Sequence, residues 1–239
     1  MEPDLIESGN ASFRTEVPYH LYRTGTEGND KPRPLLVYLH GFHQTAARFE
    51  ELCSPLLKQV NAYHLVVNGP YVLYPRKQKK PVQEWGRAWY LYDGNQEQFL
   101  RSMDRSSRFL EQLIQKTIRI TGSNRTGLIG YSMGGYLAGY HAIQHAQQVD
   151  DLVVCGARIK TELLNGDYKK VFHQNILALH GNADKQVEAM PQKAVIMGLK
   201  EEGIRATFET VDGDHKFSSA YVGKILDWLN KVGYNSNSF

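Results

Sequence analysis

Apolar residues fall along the chain in two rhythms. Short unbroken runs recur, and each is followed by a stretch with apolar positions three and four residues apart. Leu35-Leu36-Val37-Tyr38-Leu39, Tyr63 to Val67, Thr126 to Gly130, Leu152-Val153-Val154-Cys155, Ile176-Leu177-Ala178-Leu179 and Ala206 to Val211 read as strands. The near-continuous apolar character of Leu35 to Leu39, Tyr63 to Val67, Leu152 to Cys155 and Ile176 to Leu179 fits strands buried on both faces, as in a parallel sheet. Between them, Phe49, Leu52, Leu56 and Leu57 share one helical face, as do Phe99, Met103, Leu110, Leu113 and Ile114. Further helices are expected over Ser132 to about Gln148, Glu188 to Glu202 and Ser218 to Val232, the last with Tyr221, Ile225 and Trp228 inward. Val17 to Arg23 alternates apolar and polar residues and predicts an antiparallel edge strand, and Thr24 to Pro34 predicts a turn. The first dozen residues are polar and are expected to be frayed. Strands alternating with helices predict one α/β domain over residues 1–239, a mostly parallel sheet with helices on both faces.

One connection breaks the rhythm. Residues 70–95 hold Pro70, Pro75 and Pro81, a basic cluster at Arg76, Lys77, Lys79 and Lys80, and aromatics at Trp85, Trp89, Tyr90 and Tyr92. A loop this long inside a compact domain tends to be functional. The segment between Cys155 and Ile176 is short by contrast and leaves no room for a large helical cap.

Composition narrows the function classes. The chain of 239 residues is 41% hydrophobic and 22% charged, and its formal net charge is +3. That balance lacks the strong basic character of a dedicated nucleic-acid binder. Cys53 and Cys155 sit in apolar contexts and read as buried thiols in a reducing compartment. The N-terminus Met1-Glu2-Pro3-Asp4 shows no signal peptide, and no apolar run is long enough to span a membrane. A cytoplasmic protein with no membrane span is expected, and a homodimer is compatible with it.

In an open α/β sheet, ligands bind beyond the carboxyl ends of the strands. The residues placed there are His40-Gly41-Phe42, Ser132, Asp184 and His215. Gly130-Tyr131-Ser132-Met133-Gly134 is a G-x-S-x-G pattern between a strand and a helix, the context of a nucleophile elbow. The motif alone is weakly specific; its conjunction with an acid and a histidine in the order Ser…Asp…His is far more so. A serine hydroxyl becomes a nucleophile when a base takes its proton. His215 would be that base, and Asp184 would fix its tautomer and stabilise the imidazolium. Asp212 and Asp214 compete for the acid role but stand too close in sequence to His215 for the usual geometry. The backbone N–H groups of Phe42 and Met133 would form the oxyanion hole.

These motifs resemble the α/β-hydrolase superfamily over nearly the whole chain. Leu39-His40-Gly41-Phe42, Gly130 to Gly135, His180-Gly181-Asn182-Ala183-Asp184 and Gly213-Asp214-His215 are most similar to the small carboxylesterase/phospholipase group and its dienelactone-hydrolase-like relatives. The resemblance implies hydrolysis of carboxylic or thioester bonds without a metal or organic cofactor. The acyl-protein thioesterase branch usually has Gln after the nucleophile, where this chain has Met133, and a second Gly after His-Gly, where it has His43. A serine nucleophile argues against the haloalkane dehalogenases, which attack with Asp, and against dienelactone hydrolase proper, which attacks with Cys.

The expectation is therefore an open-sited serine esterase acting on small or medium esters. A thioesterase or acyltransferase with the same nucleophile, or a hydrolase fold kept for ligand binding, are the alternatives. His43, Trp85, Trp89, Tyr90 and Tyr131 are the expected substrate contacts. His40 and His180 are expected to be hydrogen-bonded structural residues. His141 and His145, spaced i, i+4, are expected on a polar helix face rather than on a metal. Arg76 to Lys80 is expected to be a solvated loop tip.

Overall fold

The computed structural model describes residues 4–9, 11, 13–25, 32–75, 79–164 and 174–234. In chain order the strands are β1 (Tyr19–Arg23), β2 (Leu35–Leu39), β3 (Tyr63–Val67), β4 (Tyr71–Val72), β5 (Arg87–Ala88), β6 (Thr126–Tyr131), β7 (Asp151–Cys155), β8 (Asn175–Gly181) and β9 (Ala206–Val211). The α-helices are α1 (Ala46–Gln59), α2 (Gln96–Thr121), α3 (Met133–Gln144), α4 (Ala189–Glu201) and α5 (Ser219–Lys231).

Seven strands form one sheet in the order β1-β3-β2-β6-β7-β8-β9. Only β1 runs antiparallel, against β3; the remaining pairs are parallel. The sheet divides the core by the two-residue period of its strands. Leu35, Val37, Leu39, Leu128, Val154 and Ala178 face α2, α3 and α4, while Leu36, Tyr38, Ile129, Val153, Leu177 and Leu179 face α1 and α5. Every residue of β2 is buried, which is why it reads as an unbroken apolar run, and β6 is buried throughout as well.

Helix α2 shows how local sequence sets an element. Asn95 caps it, its side chain accepting from the Gln98 amide, and Gly122 ends it at φ 69°, a backbone state that glycine adopts without strain. Its buried face carries Phe99, Met103, Leu110 and Ile114 and also Ser102, Ser106 and Ser107. The serines have partners: the Ser106 hydroxyl donates to the Trp89 carbonyl, and Ser107 pairs with the His141 ring at 3.0 Å.

At the amino ends of β6, β7 and β8 a polar clamp closes the sheet. Arg125 donates to both oxygens of Asp151, at 2.6 and 2.9 Å, and to the Val232 carbonyl. Asn175 and the Tyr234 hydroxyl donate to the same carboxylate, which is 1% exposed. Its lone pairs are thus filled from three other segments, as a buried charge requires.

Several expectations change. The long connection is not structureless: β4 and β5 pair antiparallel as a small ribbon, Tyr71 opposite Ala88 and Val72 opposite Arg87, with a 3₁₀ turn at Val82–Glu84 between them. Helix α3 stops at Gln144 and a separate 3₁₀ turn follows at Ala146–Gln148. His141 does not lie on a polar face but is fully buried, stacked on His145 with ring centroids 4.7 Å apart. Among the described residues no cluster of three or more metal-ligating side chains occurs, and no helix is long and apolar enough to cross a membrane. Residues 4–9, 11 and 13 are exposed and irregular, and Lys79 and Lys80 are exposed. The rest of the expected frayed segment, most of the turn after β1, Arg76 and Lys77, and residues 165–173 of the segment read as too short for a cap lie outside the described residues.

Candidate active site

Strand β6 delivers its serine at a strained corner. Ser132 has φ 51° and ψ −118°, a region that side chains other than glycine rarely occupy. Its amide donates to the Cys155 carbonyl at 2.8 Å, and α3 begins at the next residue. The flanking glycines are steric necessities: a Cβ on Gly130 would strike the Gly134 carbonyl, and one on Gly134 the Leu39 carbonyl.

Two loops at the same end of the sheet bring the partners. The Ser132 hydroxyl is 2.8 Å from His215 Nε2, and His215 Nδ1 is 2.7 Å from an oxygen of Asp184. The other Asp184 oxygen accepts the Gln186 and Val187 amides at 2.9 and 3.0 Å. Burial works against the charged carboxyl, but the bonds from His215, Val187 and Gln186 outweigh it and hold Asp184 below the usual carboxylate range. The nearby acids are engaged elsewhere: Asp212 accepts from Asn182 at 2.8 Å, and Asp214 accepts the Lys216 amide at 2.9 Å.

Asn182 is a site residue that the sequence reading missed. Its side chain accepts the Gly213 amide, and its own amide donates to the Val211 carbonyl, while Ala183 donates to the Gly213 carbonyl. These bonds strap the loop carrying Asp184 to the loop carrying His215. Its signal was its place in His180-Gly181-Asn182, directly before the acid.

The turn after β2 faces the elbow. Buried His40 fixes it through three bonds. Its Nε2 accepts the Gly69 amide at 2.9 Å, so Nδ1 carries the proton and donates to the Gly41 carbonyl at 2.7 Å. Its own carbonyl accepts the Trp89 indole N–H at 2.8 Å. Burial lowers the His40 pKa to about 4, so the ring is neutral near pH 7. Phe42 follows and is 58% exposed. Among the described residues neither the Phe42 nor the Met133 amide donates to a protein acceptor; Met133 opens α3, where amides have no partner within the helix.

A cavity of about 430 Å³ covers Ser132, with Phe42, Leu73, Tyr90, Tyr92, Met133 and Tyr136 among its walls. Of the expected substrate contacts, only Tyr90 lies there. His43 and Trp85 line a neighbouring cavity. Two expectations are corrected. Trp89 is fully buried in the core, its amide donating to the Met133 sulfur at 3.4 Å and its indole to His40, so it braces the site from behind. Tyr131 lies under the His215 loop, its hydroxyl donating to the His215 carbonyl and its ring 5.4 Å from Phe217, so it supports the histidine rather than touching the cavity. His40 is hydrogen-bonded as expected. His180 is buried, but its ring nitrogens have no partner among the described residues, and it stacks on Phe208.

The family model of the phospholipases and carboxylesterases matches residues 24–233. The chain belongs to the phospholipase/carboxylesterase family. No curated protein matches it significantly by sequence. Among solved structures, esterase PE8 superposes with a TM-score of 0.71 at 16% identity, over 91% of this chain and 100% of that one. The Bacillus cereus carboxylesterase gives 0.64 at 14% identity, over 90% and 94% of the two chains. Acyl-protein thioesterase 2 of Zea mays gives 0.65 at 17% identity, over 90% and 98%. At these identities the likeness is one of fold, the α/β-hydrolase fold. Membership of the phospholipase/carboxylesterase family makes hydrolase chemistry the frame in which the site is read. In that family frame Met133 has a structural use here, since its thioether receives the Trp89 amide and ties the start of α3 to the ribbon.

Proposed function

We propose that the protein is a cytoplasmic serine hydrolase that cleaves small or medium carboxylic esters through an acyl-enzyme. The observation that carries this reading is the unbroken relay from Ser132 through His215 to Asp184, at 2.8 and 2.7 Å. Ser132 Oγ attacks the acyl carbon while its proton passes to His215 Nε2. Asp184 accepts from Nδ1, keeps the tautomer that leaves Nε2 free, and stabilises the imidazolium. The oxyanion takes hydrogen bonds from the Phe42 and Met133 amides, the second lying at the positive end of α3. The tetrahedral intermediate collapses, the C–O bond to the alcohol breaks, and His215 gives its proton to the departing oxygen. Water then attacks the acyl-enzyme, His215 takes its proton, and a second collapse releases the acid and restores Ser132. Every step uses side chains and amides of the chain itself. The compartment assigned here is supported by the two free, fully buried cysteines.

The test is Ser132→Ala assayed on short p-nitrophenyl esters beside labelling by a fluorophosphonate. Turnover and labelling should both fall to background while the thermal unfolding midpoint stays near that of the parent. Turnover at the parent rate in the alanine variant would refute the mechanism. Matched thioesters and an added alcohol acceptor in the same panel separate an esterase from a thioesterase or an acyltransferase.

A further inference from the structure

On the far side of Phe42 and Leu73 from Ser132 lies a second cavity of about 660 Å³; these two residues line both. We infer that this cavity is an extended subsite that takes an apolar arm, aromatic by preference, of the ester whose carbonyl sits at Ser132. The inference rests on the serine-esterase reading.

The cavity is prebuilt. Its floor is the meeting of the ribbon with the turn after β2. The His43 amide donates to the Arg87 carbonyl at 3.0 Å, the Arg87 amide to the Gln44 carbonyl at 2.9 Å, and the Leu73 amide to the Gly86 carbonyl at 2.9 Å. Gly86 packs so closely on His43 that a Cβ there would lie 2.5 Å from the ring nitrogen. His43 itself has φ 64°, in the left-handed region that few residues other than glycine occupy. The Trp85 indole N–H is spent on the Lys80 carbonyl at 2.9 Å, which fixes the ring and leaves only its apolar surface to a ligand. Tyr74 stands edge-on to it, centroids 5.0 Å apart at 87°.

The chemistry of the walls selects the arm. Phe42, Val72 and Tyr74 are exposed, Tyr74 at 73%, so an apolar surface runs from the rim of the Ser132 cavity into this one. Exposed apolar side chains gathered at one cavity are the kind of surface that ligand-binding grooves present. A third ring entering beside Tyr74 and Trp85 would find the edge-to-face geometry that aromatic groups prefer. Lys80 and Glu84 also line the cavity, one charge of each sign. A volume of this size suits a drug-sized group. The arm reaches it on either half of the substrate, acyl or alcohol, by crossing Phe42.

The experiment compares kcat/KM for an extended ester with that for its short partner, in two series. The acyl series sets p-nitrophenyl phenylhexanoate against p-nitrophenyl acetate. The alcohol series sets phenylhexyl acetate against ethyl acetate. Trp85→Ala should lower the extended-to-short ratio about tenfold in one series, and Trp85→Phe should restore most of it. Tyr74→Ala, at a site too exposed to endanger folding, should lower the same ratio about threefold. A fall in the acyl series puts the arm on the acid, and one in the alcohol series puts it on the leaving group. Unchanged ratios in both series, or equal losses on short and extended esters, overturn the subsite. Fluorophosphonate labelling of the same proteins separates the two readings. Labelling at Ser132 with unchanged ratios refutes the subsite alone, whereas failure to label the parent refutes the esterase reading beneath it.

Discussion

Asp184→Asn isolates what the carboxylate does for His215. The parent residue accepts three hydrogen bonds: two amides on one oxygen and the His215 ring on the other. Asparagine keeps the oxygen that takes the Gln186 and Val187 amides and turns an NH₂ toward Nδ1. The ring must then move its proton to Nε2, where it donates to Ser132 instead of accepting from it. The same change in a serine-protease triad lowers kcat by about 10⁴, which is about 5.4 kcal/mol in the barrier. The stability effect is smaller. Exchanging a charged for a neutral acceptor in two amide bonds costs about 1 kcal/mol each, partly offset by the burial of a charge that no longer occurs. The pH dependence has a definite sign. A carboxyl held below its unfolded value, about 3.9, contributes its stability above that pH and loses it as pH falls through the folded value. The parent should therefore be more stable than the variant near neutrality, and the gap should close below about pH 4. Stopped-flow turnover of p-nitrophenyl acetate and urea unfolding across pH measure both. A variant retaining more than about a tenth of the parent kcat would refute the tautomer argument, because a wrong tautomer tolerates far less.

Other outcomes follow from buried groups and close contacts. Burial lowers the pKa of His40 and His64 to about 4 and that of His141 to about 3, against about 6.5 in an unfolded chain. The unfolded chain takes up protons that the fold refuses, so each should cost about 2 kcal/mol of stability between pH 7 and pH 5. Urea unfolding at the two values should show a combined loss, and a change below about 2 kcal/mol would count against neutral burial of all three. Gly198 in α4 has open space around its Cα, so Gly198→Ala should stabilise by about 0.5–1 kcal/mol, raising the melting temperature by a few degrees. Gly134→Ala drives a methyl into the Leu39 carbonyl and should destabilise by about 1–3 kcal/mol or more while slowing fluorophosphonate labelling.

The central strands were legible because burial on both faces leaves no room for polar residues: Leu35–Leu39 and Tyr63–Val67 begin and end where the apolar runs do. The edge strand Ala206–Val211 also has the expected bounds, although it carries Thr207, Glu209 and Thr210 and is buried only in part. The placing of Ser132, Asp184 and His215 beyond strand ends was legible, though their mutual distances needed the fold. The ribbon was not legible, since β4 and β5 have two residues each and cannot display an alternation. Trp85 and Trp89 looked equivalent in an aromatic run, yet one lines a cavity and the other is a brace. What separates them is the partner of each indole N–H, a loop carbonyl at Lys80 for one and the His40 carbonyl for the other. Tyr131 misled for a similar reason: its neighbour Ser132 turns toward the cavity, and the strand's alternation sends the phenol to the opposite layer.

The clamp at Asp151 has a consequence for how the molecule is made. Arg125, Asp151 and Asn175 leave the ribosome with the middle of the sheet, but Val232 and Tyr234 emerge only after every strand has been synthesised. Until then a nearly sealed carboxylate lacks its phenol and Arg125 lacks its carbonyl. His215 also appears late, between β9 and α5. The nascent chain therefore receives the histidine that pairs with Ser132 and the groups that close the far end of its sheet within the same short stretch of translation, so the Ser132–His215–Asp184 arrangement and the closed sheet arrive together.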